Sequence, residues 1–206
     1  MIKIIDYGLG NLSSIKNMIS YFGYDSEITS NKKEINNSSK LILPGVGSFD
    51  TGVDNLKKLG LIPIIYNKVI NEKCPILGIC LGAQLMLEKS HEGKNKGLSF
   101  VRGEVISFNK VFQEKKINLP VPNMGWRDTE FNKSIKLKFK KTPPKFYFVH
   151  SYFLNVREKN AKWIYSNYGI DFCAGFKYNN IMAVQFHPEK SHKYGEQVLK
   201  YFINNV

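Results

Sequence analysis

Gly78-Ile79-Cys80-Leu81-Gly82-Ala83-Gln84 is the stretch on which the fold turns. It follows the apolar run Cys74-Pro75-Ile76-Leu77 and opens into Leu85-Met86-Leu87, where the apolar spacing becomes helical. A strand, a tight turn and a helix are predicted, with a cysteine at the apex. Glycines two residues to either side leave room for a strained turn that lifts the side chain clear of a sheet. The next backbone N–H then points at the same spot. Cys80 is therefore a candidate nucleophile. The plain alternative is a tight strand-to-helix turn carrying a small buried thiol, and the stretch alone does not choose between the two.

Upstream, strands and helices alternate. Ile2-Lys3-Ile4-Ile5 reads as a strand and ends in Asp6-Tyr7-Gly8-Leu9-Gly10-Asn11, whose glycines permit a tight loop. A helix with Leu12, Ile15, Ile19 and Phe22 at helical spacing follows, closed by Gly23-Tyr24. Residues 25–29 suit a second strand, and Leu41-Ile42-Leu43 a third that runs into Pro44-Gly45-Val46-Gly47-Ser48-Phe49. Helical spacing returns at residues 53–59 and 62–70. The alternation predicts an α/β fold with a mostly parallel central sheet covered by helices, and ligands at the carboxyl ends of the strands. Past the elbow, short aromatic or β-branched strands are predicted at Val101, Val105, Phe108, Val121, and at residues 146–149, 152–154, 163–165 and 173–176. They imply an additional antiparallel section. A final strand is expected over 181–186 and a last helix over 191–203. With 206 residues and 43% apolar content, one core and one domain, 1–206, are expected.

The formal charge of +13 admits a nucleic acid, an anionic membrane or a phosphorylated ligand. The lysines are scattered, however, and the clusters Lys136-Leu137-Lys138-Phe139-Lys140-Lys141 and Lys115-Lys116 sit in no nucleic-acid motif. They suit a solvated surface first and an acidic protein partner second; neither nucleic acid nor membrane is expected as a partner. Charge interrupts Met1-Ile2-Lys3-Ile4-Ile5-Asp6, so neither a signal peptide nor a membrane span is predicted there and the cytoplasm is the expected compartment. Three cysteines without a close pair fit a reduced compartment and suggest no disulfide framework and no zinc site. Cys74 and Cys173 are read as structural, and no metal or cofactor is expected.

A cysteine nucleophile needs a base, and the base an orienting group. His187 lies in Phe186-His187-Pro188-Glu189, directly after an apolar strand and at the same sheet edge as the other loops. In extended geometry residues two apart share a side, so Glu189 can approach the imidazole while Pro188 stiffens the segment. The alternative is an ordinary strand-ending turn. His150 is the rival base, with no carboxylate beside it in sequence; His91 and His192 have polar, solvent-facing contexts. Pro44-Gly45-Val46-Gly47 is either a plain glycine-rich turn or, given an elbow, a loop whose N–H groups join that of Leu81 in facing an oxyanion.

Gly-Ile-Cys-Leu-Gly-Ala-Gln together with Phe-His-Pro-Glu resembles the class I (triad) glutamine amidotransferases. Asp6 to Asn11, Leu43 to Phe49, Met124-Gly125-Trp126 and Phe186-His187-Pro188-Glu189-Lys190-Ser191 further resemble, within that family, the glutaminase subunits of imidazole glycerol phosphate synthases. The resemblance implies that Cys80 attacks the side-chain amide of L-glutamine, that His187 moves the proton and that Glu189 orients it. It also implies an oxyanion hole from Gly45, Val46, Gly47 and Leu81. Gln84, Glu92 and the backbone at Val149, His150 and Ser151 would then bind substrate, Glu92 at its ammonium group. Ammonia would pass to a separate cyclase-type synthase subunit, a (β/α)8 barrel of histidine biosynthesis, as obligate partner, with Asn11, Met124, Gly125, Trp126 and Lys190 near that interface. Two departures touch the interface: the usual Pro-His-Met-Gly-Trp-Asn reads Pro122-Asn123-Met124-Gly125-Trp126-Arg127, and Ser13 stands where a basic residue is common. They leave open the same chemistry feeding a sugar-modifying amidotransferase. A non-catalytic regulatory subunit and a nucleic-acid binder are the alternatives from other classes.

Overall fold

The computed structural model describes residues 1–139 and 142–206; Lys140 and Lys141, the end of the lysine cluster, lie outside the described residues. The first half runs β1 (Ile2–Ile5), α1 (Leu12–Tyr21), β2 (Ser26–Thr29), α2 (Lys32–Asn36), β3 (Lys40–Leu43), α3 (Phe49–Lys58), α4 (Ile62–Tyr66), β4 (Ile76–Ile79) and α5 (Leu81–Leu85). The second half runs β5 (Lys89–Ser90), β6 (Gly103–Ser107), α6 (Phe108–Lys115), β7 (Asn123–Phe131), β8 (Lys145–His150), β9 (Tyr152–Val156), β10 (Lys162–Asn167), β11 (Asp171–Tyr178), β12 (Ile181–Val184) and α7 (His192–Asn205).

One mixed sheet carries the molecule. Its parallel part has the order β2-β1-β3-β4-β12, and β12 passes antiparallel into β11-β10-β7-β8. A side branch, β9 with β6 and β5, leaves from β11. The parallel strands read as unbroken apolar runs because both faces are covered. Ile5, Leu41, Leu43 and Ile76 belong to one buried cluster, while Ile4, Ile42, Leu77 and Ile79 belong to the other. The expected α/β sheet with its antiparallel section is thus observed, as is the last helix.

Several boundaries differ from expectation. The elbow helix stops at Leu85 instead of running on through Leu87. The carbonyls of Leu85, Met86 and Leu87 are taken by the N–H groups of Leu98, Phe100 and Ser99, so the chain has no use for a further helical turn there. Phe108 starts a helix and does not lie in a strand: Ser107 caps Lys110 N–H, and Phe108 and Phe112 bury themselves one turn apart. Val101 and Val121 lie in turns, and residues 67–71 wind as a π-helical turn after α4. The short helix α2 is not foreseen by apolar spacing; it rests on Asn31, whose side chain accepts from Lys33 and Glu34 N–H.

Candidate active site

Cys80 closes β4 with φ 53° and ψ −109°, a conformation L-residues avoid. Its own N–H is tied to the Val184 carbonyl at 2.8 Å. The two flanking glycines are required by packing. A Cβ on Gly82 would stand 1.7 Å from the Leu43 carbonyl oxygen, and one on Gly78 2.8 Å from Ala83 Cα. Cys80 is 7% exposed, and its thiol accepts from Gln185 Nε2 at 3.6 Å.

The neighbour of β4 is β12, in register Ile79 to Val184. Continuing β12 by three residues delivers His187 to the same sheet edge. Its Nδ1 lies 2.8 Å from Glu189 Oε1, both side chains 2% exposed. The contact is made differently from expectation: residues 188–190 form a single 3-10 turn instead of an extended segment, and that turn swings Glu189 back beneath the ring. Ser191 Oγ donates to the His187 carbonyl at 2.6 Å and accepts from Tyr147 N–H at 3.0 Å, fastening the turn to β8. Burial alone would push the imidazole pKa down, but Cys80 and Glu189 outweigh it and raise it to about 10. Nε2 is buried and closes no hydrogen bond, so the attraction between ring and thiol acts across an open contact.

The expected oxyanion donor Leu81 is not free. Leu81 N–H donates to the Gly45 carbonyl at 3.3 Å, so the N–H expected to face an oxyanion is occupied by the very loop expected to assist it. Gly45 packs so tightly that a Cβ there would fall 2.2 Å from the Tyr7 hydroxyl. That hydroxyl is buried without a partner; its pKa is raised by burial first and by Cys80 second. Val46 is half exposed, and Gly47 holds φ 138°, which only glycine tolerates easily.

A cavity of about 230 Å³ opens beside the thiol. It is lined by Val46, Gly47, Cys80, Leu81, Gln84, Glu92, Val149, His150 and Ser151, which brings the expected substrate residues together, and by Pro122 and Tyr152. Glu92 Oε2 accepts from Phe49 N–H at 2.8 Å at the start of α3; burial raises its carboxyl pKa, Phe49 N–H pulls it down and Asp50 adds to the rise. His150 spends both nitrogens, Nδ1 on the Tyr152 carbonyl at 2.7 Å and Nε2 on Asn123 Nδ2 at 3.0 Å. Burial drives its pKa down to about 4, so this rival base stays neutral and structural. A larger hollow of about 660 Å³ near Phe131, Ile135 and Leu137 has lysines but neither cysteine nor histidine in its wall, so volume alone does not mark the chemistry.

Among the expected interface residues, Met124 and Trp126 are exposed at 56% and 41%. Trp126 stacks on His192 and meets Tyr147 edge-on, and Lys190 Nζ lies over the Tyr147 ring, 5.7 Å from its centre. Gly125 holds φ 119°, and Asn11 is exposed at the start of α1, bonded to Ser14. No helix among the described residues is long and apolar enough to cross a membrane, and no group of three His, Cys, Asp or Glu among them could hold a metal ion.

Sequence reasoning passed over Gln185, fully buried at the thiol. Its signal was a polar residue inside the apolar run 181–186, two places before His187 and hence on the same side of an extended strand. It also missed that the departures at Asn123 and Arg127 touch each other, Arg127 Nε donating to Asn123 Oδ1 at 3.1 Å.

A family profile described as "Glutamine amidotransferase class-I" matches residues 3–206. The chain is 47% identical to "Imidazole glycerol phosphate synthase subunit HisH 2" of Methanococcus maripaludis over 100% of both chains. It is 42% identical to subunit HisH 1 of Campylobacter jejuni, covering 98% of this chain and 99% of that one. Among solved structures, one titled "Crystal structure of glutamine amidotransferase" superposes with TM-score 0.77 at 15% identity, over 98% of this chain and 96% of that chain. PurLQS from Thermotoga maritima gives TM-score 0.70 at 13% identity, over 98% and 97%. With a profile spanning nearly the whole chain and relatives this similar end to end, the chain belongs to the class I glutamine amidotransferase family.

Proposed function

We propose that the chain is the glutaminase subunit of an imidazole glycerol phosphate synthase, hydrolysing L-glutamine and passing the ammonia to a cyclase-type synthase subunit in histidine biosynthesis. One observation carries the proposal: a strained, buried Cys80 at a strand end shares its sheet edge with a His187–Glu189 pair closed at 2.8 Å. Cys80 gives its thiol proton to His187, and Sγ adds to the carbonyl carbon of the glutamine side chain. The C–N bond breaks as His187, oriented by Glu189, gives its proton to the departing ammonia. Water then adds to the γ-glutamyl thioester, His187 takes up its proton and passes it to the departing sulfur, and glutamate leaves with the thiol restored. Glu92 pairs with the substrate ammonium, Gln84 and the backbone of Val149, His150 and Ser151 complete the pocket, and the exposed Met124, Trp126, Lys190 and Asn11, with the half-buried Gly125, meet the partner. The three free cysteines suit work in the cytoplasm.

The bond from Leu81 N–H to the Gly45 carbonyl supports a further point: the oxyanion hole of the lone subunit is shut, and the Gly45-Val46-Gly47 loop must turn before Leu81 N–H or a loop N–H can receive the oxyanion. Glutamate release is therefore measured for the full chain alone and with its synthase subunit. Near inactivity alone, strong stimulation by the partner and abolition by Cys80→Ala are expected. Full turnover by the lone chain contradicts the shut hole. Unchanged hydrolysis in Cys80→Ala overturns the triad assignment, and co-purification with a sugar-modifying synthase in place of the barrel overturns the pathway.

A further inference from the structure

Gln185 follows β12 at 0% exposure, between the nucleophile and Gln84. The orientation of both amides follows from one main-chain group. The Tyr152 carbonyl can only accept, so the Gln84 atom 3.2 Å from it is the nitrogen Nε2. The same Nε2 lies 3.1 Å from Gln185, which must turn its oxygen toward it. What Gln185 has left for Cys80 is its NH2 group, 3.6 Å from Sγ. Polarity thus runs one way through the series, from the Tyr152 carbonyl through Gln84 and Gln185 to the sulfur.

We propose that Gln185 is a positioning residue for the reaction, donating a hydrogen bond to Cys80 Sγ and locking Gln84 so that only its oxygen is offered to the ligand. The proposal rests on Cys80 being the nucleophile. A donor on the sulfur favours its charged form and turns any S–H proton away from Gln185, toward His187. At the other end both N–H groups of Gln84 are spent, and the amide group it has left toward the cavity is the acceptor Oε1. Such a wall selects a ligand that presents N–H, an amide or ammonium nitrogen, and disfavours a carboxylate in the same place. The single residue Gln185 therefore serves both the thiol and the specificity of the pocket.

The test is alkylation of Cys80 by iodoacetamide in the full-length chain, followed by peptide mass spectrometry from pH 5 to 9. This needs neither glutamine nor a partner subunit, so its failure is distinct from failure of the glutaminase assay. Gln185→Met removes the donor at similar length, and Gln185→Glu sets an acceptor against the sulfur. Gln84→Met keeps Gln185 but releases its lock. Losing a hydrogen bond to a charged group slows alkylation at pH 7 by about tenfold or more and moves the rise in rate to higher pH. The expected order of effect is Glu, then Met, then the Gln84 variant. Gln185 acting as packing alone would alter stability to urea and leave the pH profile in place. Wild-type rates and pH dependence in the folded variants overturn the proposal.

Discussion

Cys80 holds φ 53° and ψ −109°, and a residue with a Cβ in so sparsely populated a region carries about 1–3 kcal/mol of strain. Two variants isolate that strain. Cys80→Ala keeps the Cβ, Cys80→Gly removes it, and both lose Sγ with its bond from Gln185, so that loss cancels in the comparison. Glycine gives back about 0.4–1 kcal/mol through the greater freedom of its unfolded chain. Setting the middle of one range against the other leaves the glycine variant more stable by roughly 1 kcal/mol. In a chain of this size that is about 2–4 °C in Tm. Urea unfolding followed by circular dichroism, with equal slopes in both variants, reads the difference directly. An alanine variant as stable as the glycine variant, or more so, would falsify the claim that the elbow stores strain at Cys80.

Gly82→Ala drives a Cβ to within 1.7 Å of the Leu43 carbonyl, a backbone atom that cannot step aside, so a loss of about 3 kcal/mol or more and an inactive site are expected in denaturation and glutaminase assays. His187, raised from 6.5 to about 10, binds its proton more tightly folded than unfolded. Its contribution is therefore complete below pH 6.5 and is lost as pH rises through about 10; His187→Asn should flatten that alkaline fall, on the order of a few kcal/mol, in unfolding titrations. His150 is displaced the opposite way, from 6.5 to about 4, so the neutral ring contributes fully above pH 6.5 and the fold weakens as pH falls toward 4. A less steep acid fall in His150→Gln checks this, and an unchanged one refutes it.

What was legible in the sequence is what local chemistry dictates. Gly78 and Gly82 announce the elbow around Cys80 because a Cβ on either would strike main chain, Ala83 at the first and Leu43 at the second. The pairing of His187 with Glu189 was legible as a spacing, though its route was not: Pro188 begins a 3-10 turn, and whether two carboxylate atoms swing under a ring depends on Ser191 and Tyr147, distant or unremarked in sequence. Long-range facts were the least readable. The orientation of one peptide, Gly45 to Val46, decides whether Leu81 N–H is free, and no residue identity encodes it. Phe108 was misread because a β-branched and aromatic neighbourhood suits a strand, while the cap at Ser107 and the match with Phe112 settle on a helix. Gln185 looked like strand filler until the sheet showed which strand lies against β4.

The pairing of β12 beside β4 has a consequence for how far such a protein can change. Ile79 and Val184 share a rung, and Cys80 N–H is bonded to the Val184 carbonyl at 2.8 Å. Cys80 and His187 emerge one and three residues beyond that rung, so their separation is gauged by the spacing of hydrogen-bonded strands, about 4.8 Å, and not by any loop. A ruler made of main chain does not wear with side-chain substitution. Loops, helices and most of the surface are free to drift, and solved structures at 13–22% identity still superpose with TM-scores of 0.58–0.77. Shifting the register by one residue is the change such a ruler cannot survive, since every inward side chain would turn outward at once.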